Sequence, residues 1–137
     1  FTQDETVYES KLIETERLKI EYMDFGGKGI PLIVVQGVHN YFDKSSNKPY
    51  INYENKAWID FFSSYTENYH VVAPLKRGFG KTDAQMKVDN IQTSTLDLIS
   101  FMNEMEFEKA FFIGRDVSAQ TMLFLAENYP EKIHGLI

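Results

Sequence analysis

Cysteine is absent from the 137-residue sequence, and so is any long apolar segment. Without cysteine the chain can form no disulfide, no thiol nucleophile and no zinc–thiolate site. No apolar run approaches the roughly 18 residues that a membrane-spanning helix requires. We therefore predict no membrane partner, while the redox compartment stays open.

Positive charge is also scarce. The chain has 14 lysine and arginine residues against 20 acidic ones, and its net charge is −6. Because nucleic-acid binding depends on a concentrated basic surface, we predict no nucleic-acid partner. Hydrophobic residues make up 43% of the sequence and aromatic residues 15%, a globular composition. The length suits one domain with a sizeable core.

The first part of the chain predicts a β-hairpin, with strands at 8–13 and 18–25 and a short turn at Glu14–Arg17. The second strand alternates in the manner of a half-buried strand. Its apolar face carries Leu18, Ile20 and Tyr22, and its opposite face carries Lys19 and Glu21.

Three continuous apolar runs predict strands that are buried on both faces. They are IPLIVVQG, VVAP and KAFFIG. We predict a mixed sheet with strand 32–36 at its centre, flanked by 71–74 and by 110–114.

Helical patterns alternate with these strands. A polar loop is predicted from His39 to about Asn55, followed by a short helix near 58–64 and a second helix over 93–107. The second helix carries the apolar stripe Leu98, Phe101, Met102 and Met105. A third helix, ended by Tyr129-Pro130, carries the predicted stripe Ala119, Met122, Leu123 and Ala126. This order, a β-hairpin and then β-α-β-α-β-α, predicts an α/β fold with a mostly parallel sheet and helices on both faces.

The most informative segment is Gly114-Arg115-Asp116-Val117-Ser118, which joins an apolar strand directly to a helix. A sharp strand–turn–helix segment with one reactive residue is a nucleophile elbow, written G-x-S-x-G in its serine form. Here aspartate stands in place of serine, and the small Ser118 replaces the second glycine. The alternative is that Asp116 only caps the helix by accepting backbone N–H bonds, and pairs with Arg115.

The sequence GFGKT at 78–82 superficially suggests a phosphate loop. Such a loop needs G-x-x-x-x-G-K-[ST], but Leu75 stands where the first glycine should be. No helical pattern opens directly after Thr82 to supply the backbone N–H groups that hold phosphate. We therefore predict a glycine-rich turn, and we predict neither a cofactor nor a metal.

Taken in order, five segments closely resemble the N-terminal half of the α/β-hydrolase family, over roughly residues 8–137. The segments are ESKLIETERLKIEYMDFGG, PLIVVQG, VVAPLKRGFGKTD, IGRDVSA and AENYPEKIHGLI. They resemble, in turn, the opening hairpin, the strand that ends in His-Gly, the V-x-A-P-D-x-R-G-x-G-x-S-D segment, the elbow and the segment after it. Within that family, aspartate at the elbow resembles the epoxide hydrolases and dehalogenases.

The resemblance implies a hydrolase that acts on a small-molecule substrate. Asp116, already ionised at neutral pH, would displace a carbon–oxygen or carbon–halogen bond and form an alkyl ester, which a histidine-activated water then hydrolyses. Backbone N–H groups of Val38 and Val117 would form the oxyanion hole. The candidates for lining the pocket are Gln36, His39 and Arg115.

Two alternatives stay open: an esterase-like relative without covalent catalysis, and a non-enzymatic homologue that binds a small molecule or a protein. Val117 and Val38 stand where dehalogenases carry the tryptophan and asparagine of their halide clamp, so the resemblance implies no such clamp here. Epoxide hydrolases also usually carry tryptophan after the aspartate, so Val117 departs from their pattern too, though it weakens that interpretation less. Only His134 follows Asp116, and it lies on a predicted strand start rather than at a position where the family has its catalytic histidine.

We expect residues 1–137 to be the N-terminal part of a single α/β-hydrolase domain. Residues 132–137 predict the opening of another buried strand. A C-terminal segment or a second chain is then expected to complete the fold and to supply the cap, the base histidine and its acid. No signal-peptide pattern follows Phe1, so we expect a soluble protein with a processed or trimmed start. Its compartment stays unknown.

Overall fold

Six strands form one sheet in the computed structural model, which describes residues 8–37, 49–83 and 90–137, and only the backbone of 49–55. The strands are β1 (Glu9–Glu14), β2 (Lys19–Gly26), β3 (Ile30–Val34), β4 (Tyr69–Pro74), β5 (Ala110–Ile113) and β6 (Ile133–Leu136). The helices are α1 (Pro49–Ser63), α2 (Ile91–Glu104) and α3 (Ser118–Asn128), and a 3-10 turn at Pro130–Lys132 precedes β6.

The strand order is β1-β2-β4-β3-β5-β6. β1 pairs antiparallel with β2, and β2 antiparallel with β4. The remaining pairs are parallel, with Leu32 of β3 opposite both Val71 of β4 and Phe111 of β5. The prediction that this strand is central, between the strands at 71–74 and 110–114, is confirmed.

Helices cover both faces of the sheet, as the continuous apolar strands require. On one face, α2 and α3 pack against β2–β5 through a cluster that includes Ile20, Ile33, Phe101, Phe112, Met122 and Leu125. On the other face, α1 packs through Phe62, Trp58 and Ile59 against a cluster that includes Met23, Leu32, Val34, Val71 and Ile113. Adjacent residues of a strand point to opposite faces, so Leu32 and Ile33 contribute to different clusters.

Helix α1 begins earlier than predicted. The sequence pattern placed a polar loop as far as about Asn55, but the helix starts at Pro49. A proline at the first helical position loses no hydrogen bond, because that N–H has no partner within the helix, and its fixed φ suits the first turn. The polar character of residues 49–55 hid this part of the helix from an argument based on apolar periodicity.

The buried face of α3 is shifted by one residue from the predicted stripe. Met122 is buried as expected, but Leu123 is 64% exposed. The residues that face the core are instead Ser118, Thr121, Met122 and Leu125, with the same helical spacing. Two small polar residues, Ser118 and Thr121, belong to this stripe, and Ser118 lies directly against Gly114 at the end of β5.

Glu21 is a third correction to the sequence pattern. The alternation of β2 placed it on the solvent side, yet it is only 7% exposed. Its carboxylate accepts hydrogen bonds from the Ser10 hydroxyl at 2.6 Å and from the Lys81 backbone N–H at 3.0 Å. A buried carboxylate is tolerated when hydrogen bonds replace its lost water, and here those bonds tie β1 and the glycine-rich turn to β2.

Candidate active site

The backbone of the elbow, residues 114–118, carries the clearest local strain beside the sheet. Asp116 has a φ of 54°, in the left-handed region that non-glycine residues rarely adopt. Among the described residues only Glu106, just after the end of α2, shares this property. Aspartate tolerates the left-handed region better than most residues, but the conformation still has a cost. The strained residue, Asp116, lies at the apex of the turn between β5 and α3.

Gly114 allows this turn to be tight. A Cβ atom built on Gly114 would overlap the Ser118 hydroxyl and would lie 2.8 Å from the Met122 sulfur. Ser118 is itself buried, and its hydroxyl donates to the Arg115 carbonyl at 2.7 Å. Small residues at both ends of the elbow therefore let α3 approach the end of β5 closely.

The Asp116 side chain does not cap the helix. The N-cap position of α3 is Val117, and no side-chain cap hydrogen bond is formed there. The Asp116 carboxylate is instead 77% exposed and lies 3.6 Å from Nε of Arg115. The alternative that made Asp116 a helix cap is therefore wrong, although its pairing with Arg115 is present.

Arg115 connects the elbow to α1. Its guanidinium carbon lies 4.6 Å from the centre of the Trp58 ring, a cation–π arrangement. The Trp58 ring in turn stacks on Phe62, with centroids 5.7 Å apart. The side chain beside Asp116 is thus held by an aromatic group on the helix of the opposite face.

Of the two predicted oxyanion donors, Val117 and Val38, the structure describes Val117. The backbone N–H of Val117 makes no hydrogen bond to the described part of the chain and stands directly after Asp116. Such a group can donate to an oxygen that develops negative charge at the elbow. Val38, the second predicted donor, lies outside the described residues.

Of the predicted pocket-lining residues Gln36 and His39, only Gln36 belongs to the described residues. Gln36 is 6% exposed, follows β3 at the carboxyl ends of the parallel strands, and accepts a hydrogen bond from the Lys76 N–H at 2.8 Å. This bond ties the end of β3 to the end of β4. His39 lies outside the described residues.

The comparisons with known proteins place this geometry in context. No family model matches the chain. Among curated proteins, the chain is 25% identical over 132 residues to epoxide hydrolase 1 of Caenorhabditis elegans, covering 95% of this chain and 30% of that protein. It is 27% identical over 127 residues to human epoxide hydrolase 4, covering 91% and 32%. The chain thus spans about a third of the length of these curated relatives.

Comparison with solved structures shows the fold. The Cfl2 protein of Burkholderia cenocepacia aligns with a TM-score of 0.77 at 18% identity, over 99% of this chain and 43% of that one. Epoxide hydrolase VrEH1 of Vigna radiata aligns with a TM-score of 0.74 at 21% identity, over 98% and 39%. A putative α/β hydrolase of Nostoc aligns with a TM-score of 0.76. The chain has the α/β-hydrolase fold.

In this fold, the two described histidines lie at the opposite end of the parallel strands from Asp116. His70 is the second residue of β4, and His134 is the second residue of β6. Asp116 follows the last residue of the parallel strand β5. Because parallel strands end at one common edge, these histidines and Asp116 are at opposite edges. Neither histidine can act as its base.

His70 has a structural partner that the sequence patterns did not predict. Its Nε2 lies 2.9 Å from an oxygen of Asp24, whose other oxygen lies 2.9 Å from Lys11 Nζ. Burial alone would raise the pKa of the Asp24 carboxyl, but hydrogen bonds from Lys11, the Gly26 N–H and His70 hold that pKa below its usual value. These residues come together only through strand pairing, so no local pattern indicates them.

The glycine-rich turn at 78–82 is not arranged to hold phosphate. Gly78 and Gly80 both have positive φ, and the Lys81 N–H is bonded to Glu21. The Thr82 hydroxyl donates to the Leu75 carbonyl at 3.1 Å and accepts from the Glu21 N–H at 2.9 Å. The donors that a phosphate would need are thus engaged within the protein.

The described residues hold neither a cluster of candidate metal ligands nor a membrane-spanning helix. Within 8–37, 49–83 and 90–137, no group of three or more His, Cys, Asp or Glu side chains is placed to hold a metal ion. None of the helices in these ranges is long and apolar enough to cross a membrane.

Proposed function

We propose that the protein is a hydrolase of the α/β-hydrolase superfamily, most like the epoxide hydrolases, with Asp116 as its nucleophile. The observation that carries the proposal is the state of Asp116, a left-handed residue at the end of a parallel strand whose exposed carboxylate is not used to cap α3. Strained residues of this kind cluster at functional sites. The curated relatives named epoxide hydrolase support the reaction class.

In the proposed reaction, a carboxylate oxygen of Asp116 attacks a carbon of the epoxide ring. The carbon–oxygen bond of the ring breaks, and the released oxygen takes up a proton from solvent water. The product of this step is an ester between Asp116 and the substrate. A water molecule that has given a proton to a base then attacks the carbonyl carbon of the ester. The alkoxide that leaves takes that proton back from the base, the diol departs, and the Asp116 carboxyl group loses a proton to solvent to restore the carboxylate.

The elbow is suited to the second step. Attack on the ester places negative charge on the carbonyl oxygen of Asp116, and the adjacent Val117 N–H is the donor we assign to that charge. Arg115, held against Trp58, keeps a positive charge beside the carboxylate in both steps. We assign the second donor to Val38, by resemblance.

The base is assigned to a part of the protein outside these 137 residues. His70 and His134 lie at the opposite edge of the sheet, and the chain covers only 30% and 32% of its curated relatives. We therefore propose that a further segment or a second chain supplies the histidine, its orienting acid and the cap over the substrate. In that arrangement residues 1–137 are the N-terminal part of one α/β-hydrolase domain.

The proposal is tested by trapping the ester. The full protein is mixed with an excess of a small aryl epoxide such as styrene oxide, stopped with acid after one turnover, and digested for mass spectrometry. We expect the peptide that contains Asp116 to gain the mass of the epoxide, and the Asp116→Asn variant to show no such gain. Turnover without any modified Asp116 peptide would overturn the covalent mechanism.

Rates of hydrolysis by the natural protein and the Asp116→Asn variant separate the two alternatives. An esterase-like relative would hydrolyse an activated ester such as p-nitrophenyl acetate in the Asp116→Asn variant as fast as in the natural protein. A non-enzymatic homologue would turn over neither substrate. Each of these results would contradict the proposal.

A further inference from the structure

A cavity lies at the carboxyl ends of β3 and β4. Its volume is about 310 Å³, and its walls come from the residues after these strands, from α2 and from Thr121 of α3. Asp116 is not among the described residues that line it, whereas Gln36, a predicted pocket-lining residue, is. No step of the proposed reaction is assigned to Gln36.

Gln36 gives the cavity an unused hydrogen-bond donor. Its Oε1 accepts from the Lys76 N–H at 2.8 Å, and this bond fixes which side of the amide carries the oxygen. The amide nitrogen, Nε2, is buried and has no partner among the described residues. Almost all buried polar side-chain atoms in proteins have a partner. A buried donor without one, in a residue that lines a cavity, marks the place where a ligand acceptor would bind.

The remaining wall defines what kind of ligand fits. Ile20, Val35, Leu75 and Leu98 line the cavity and are all buried, so most of its surface is apolar. The charged groups at the wall are Asp97, Arg77 and Lys76. Asp97 accepts hydrogen bonds from Arg77 at 2.7 and 3.0 Å and from Arg17 at 2.9 Å.

We propose that this cavity is a binding site for a small, mainly apolar molecule that carries a carbonyl oxygen. The oxygen accepts a hydrogen bond from Nε2 of Gln36, and the apolar part of the molecule packs against the four buried aliphatic residues. The site does not depend on covalent chemistry at Asp116.

A matched pair of probes tests the site on the full protein. Acetophenone carries the carbonyl, and α-methylstyrene has nearly the same shape with a CH₂ group in its place. Both are titrated into ¹⁵N-labelled protein while the side-chain amide signals of Gln36 are followed. We expect acetophenone to shift these signals and to bind about three- to tenfold more tightly than α-methylstyrene, the range that one hydrogen bond provides.

Two variants at Gln36 locate the effect. Gln36→Glu, studied near pH 8, keeps an acceptor for the Lys76 N–H but loses the donor, and Gln36→Met loses both at similar volume. In each, the ratio of the two affinities should fall to about one. Thr93→Phe, at a half-exposed position on the cavity wall, should weaken both probes together.

Three results would overturn the proposal. The first is equal binding of the two probes to the natural protein, and the second is binding that leaves the Gln36 amide signals unchanged. The third is the absence of binding by either probe up to their solubility limits. If the Gln36 variants fail to fold, the Thr93→Phe variant and the Gln36 signals of the natural protein still decide the question.

Discussion

Two aspartates at opposite edges of the same sheet differ in almost every physical respect. Asp24 is largely buried, and its oxygens are bonded to Lys11, His70 and the Gly26 N–H. Asp116 is exposed, sits on a strained backbone and has one ion pair, 3.6 Å long, with its neighbour. A carboxylate with hydrogen bonds to both of its oxygens stabilises structure. One that is held in an unfavourable conformation with its oxygens uncommitted is available for chemistry.

The largest expected effect is the loss of turnover on replacing Asp116. Asp116→Asn keeps the shape and the tolerance for positive φ but removes the nucleophile, so we expect epoxide hydrolysis to fall by a factor of about 10³ or more. The rate is measured immediately after purification, because deamidation would restore the acid. The matched control is Asp24→Asn, which should keep turnover within a few-fold. Similar losses in both variants would remove the contrast between the two aspartates.

For the free energy of unfolding, replacing Asp24 should have a larger effect than replacing Asp116. Asp24→Ala removes the acceptor of three hydrogen bonds, two of them from groups that can be charged, and we expect the free energy of unfolding to fall by about 2–3 kcal/mol. Asp116→Ala should change it by less than about 1 kcal/mol, since the side chain is exposed. Urea unfolding of the two variants measures both values. Equal losses would show that Asp116 is a structural residue as well.

Lowering the pH should weaken the stabilising interactions of the Asp24 carboxylate. Its pKa in the folded protein lies below the ordinary value of 3.8. Its stabilising contribution is therefore complete above that value and is lost as the pH falls through the lower pKa of the folded state. Between about pH 5 and about pH 2.5, the natural protein should lose more unfolding free energy than Asp24→Asn. Parallel stability curves for the two proteins would contradict this assignment.

The smallest effect concerns the strain at Asp116. Asp116→Gly relieves a left-handed conformation but gives the unfolded chain more freedom, so we expect a net gain of about 0.5 kcal/mol in unfolding free energy. Val117→Gly is the matched neighbour, since Val117 has an ordinary φ of −60°. It should be destabilising or neutral. Stabilisation by both substitutions would mean that the gain does not come from φ at Asp116.

The sequence predicted the central strands and the tight turn before α3 because both depend on local patterns. The apolar runs around Leu32, Val71 and Phe112 are continuous, so they could only be strands covered on both faces. The tight turn at Gly114 and Asp116 could be predicted because the strand and the helix are only a few residues apart there.

The predictions that were wrong concern features that depend on contacts between distant segments. Glu21 is buried because Ser10 and Lys81 approach it from other elements, which strand alternation cannot anticipate. The buried stripe of α3 is shifted because the packing at Gly114 fixes the rotation of the helix. The unused amide of Gln36 depends on the chain around Lys76, forty residues away in sequence.

One measurement tests the role of Asp116 most directly. The full protein is allowed to turn over an epoxide many times in water enriched in ¹⁸O, and the Asp116 peptide is then weighed. If Asp116 forms an ester that water attacks at its carbonyl carbon, the carboxylate acquires oxygen from the solvent, and the peptide gains about 2 Da for each oxygen exchanged. An Asp116 peptide of unchanged mass after many turnovers, with all the label in the diol, would show that water attacks the epoxide directly.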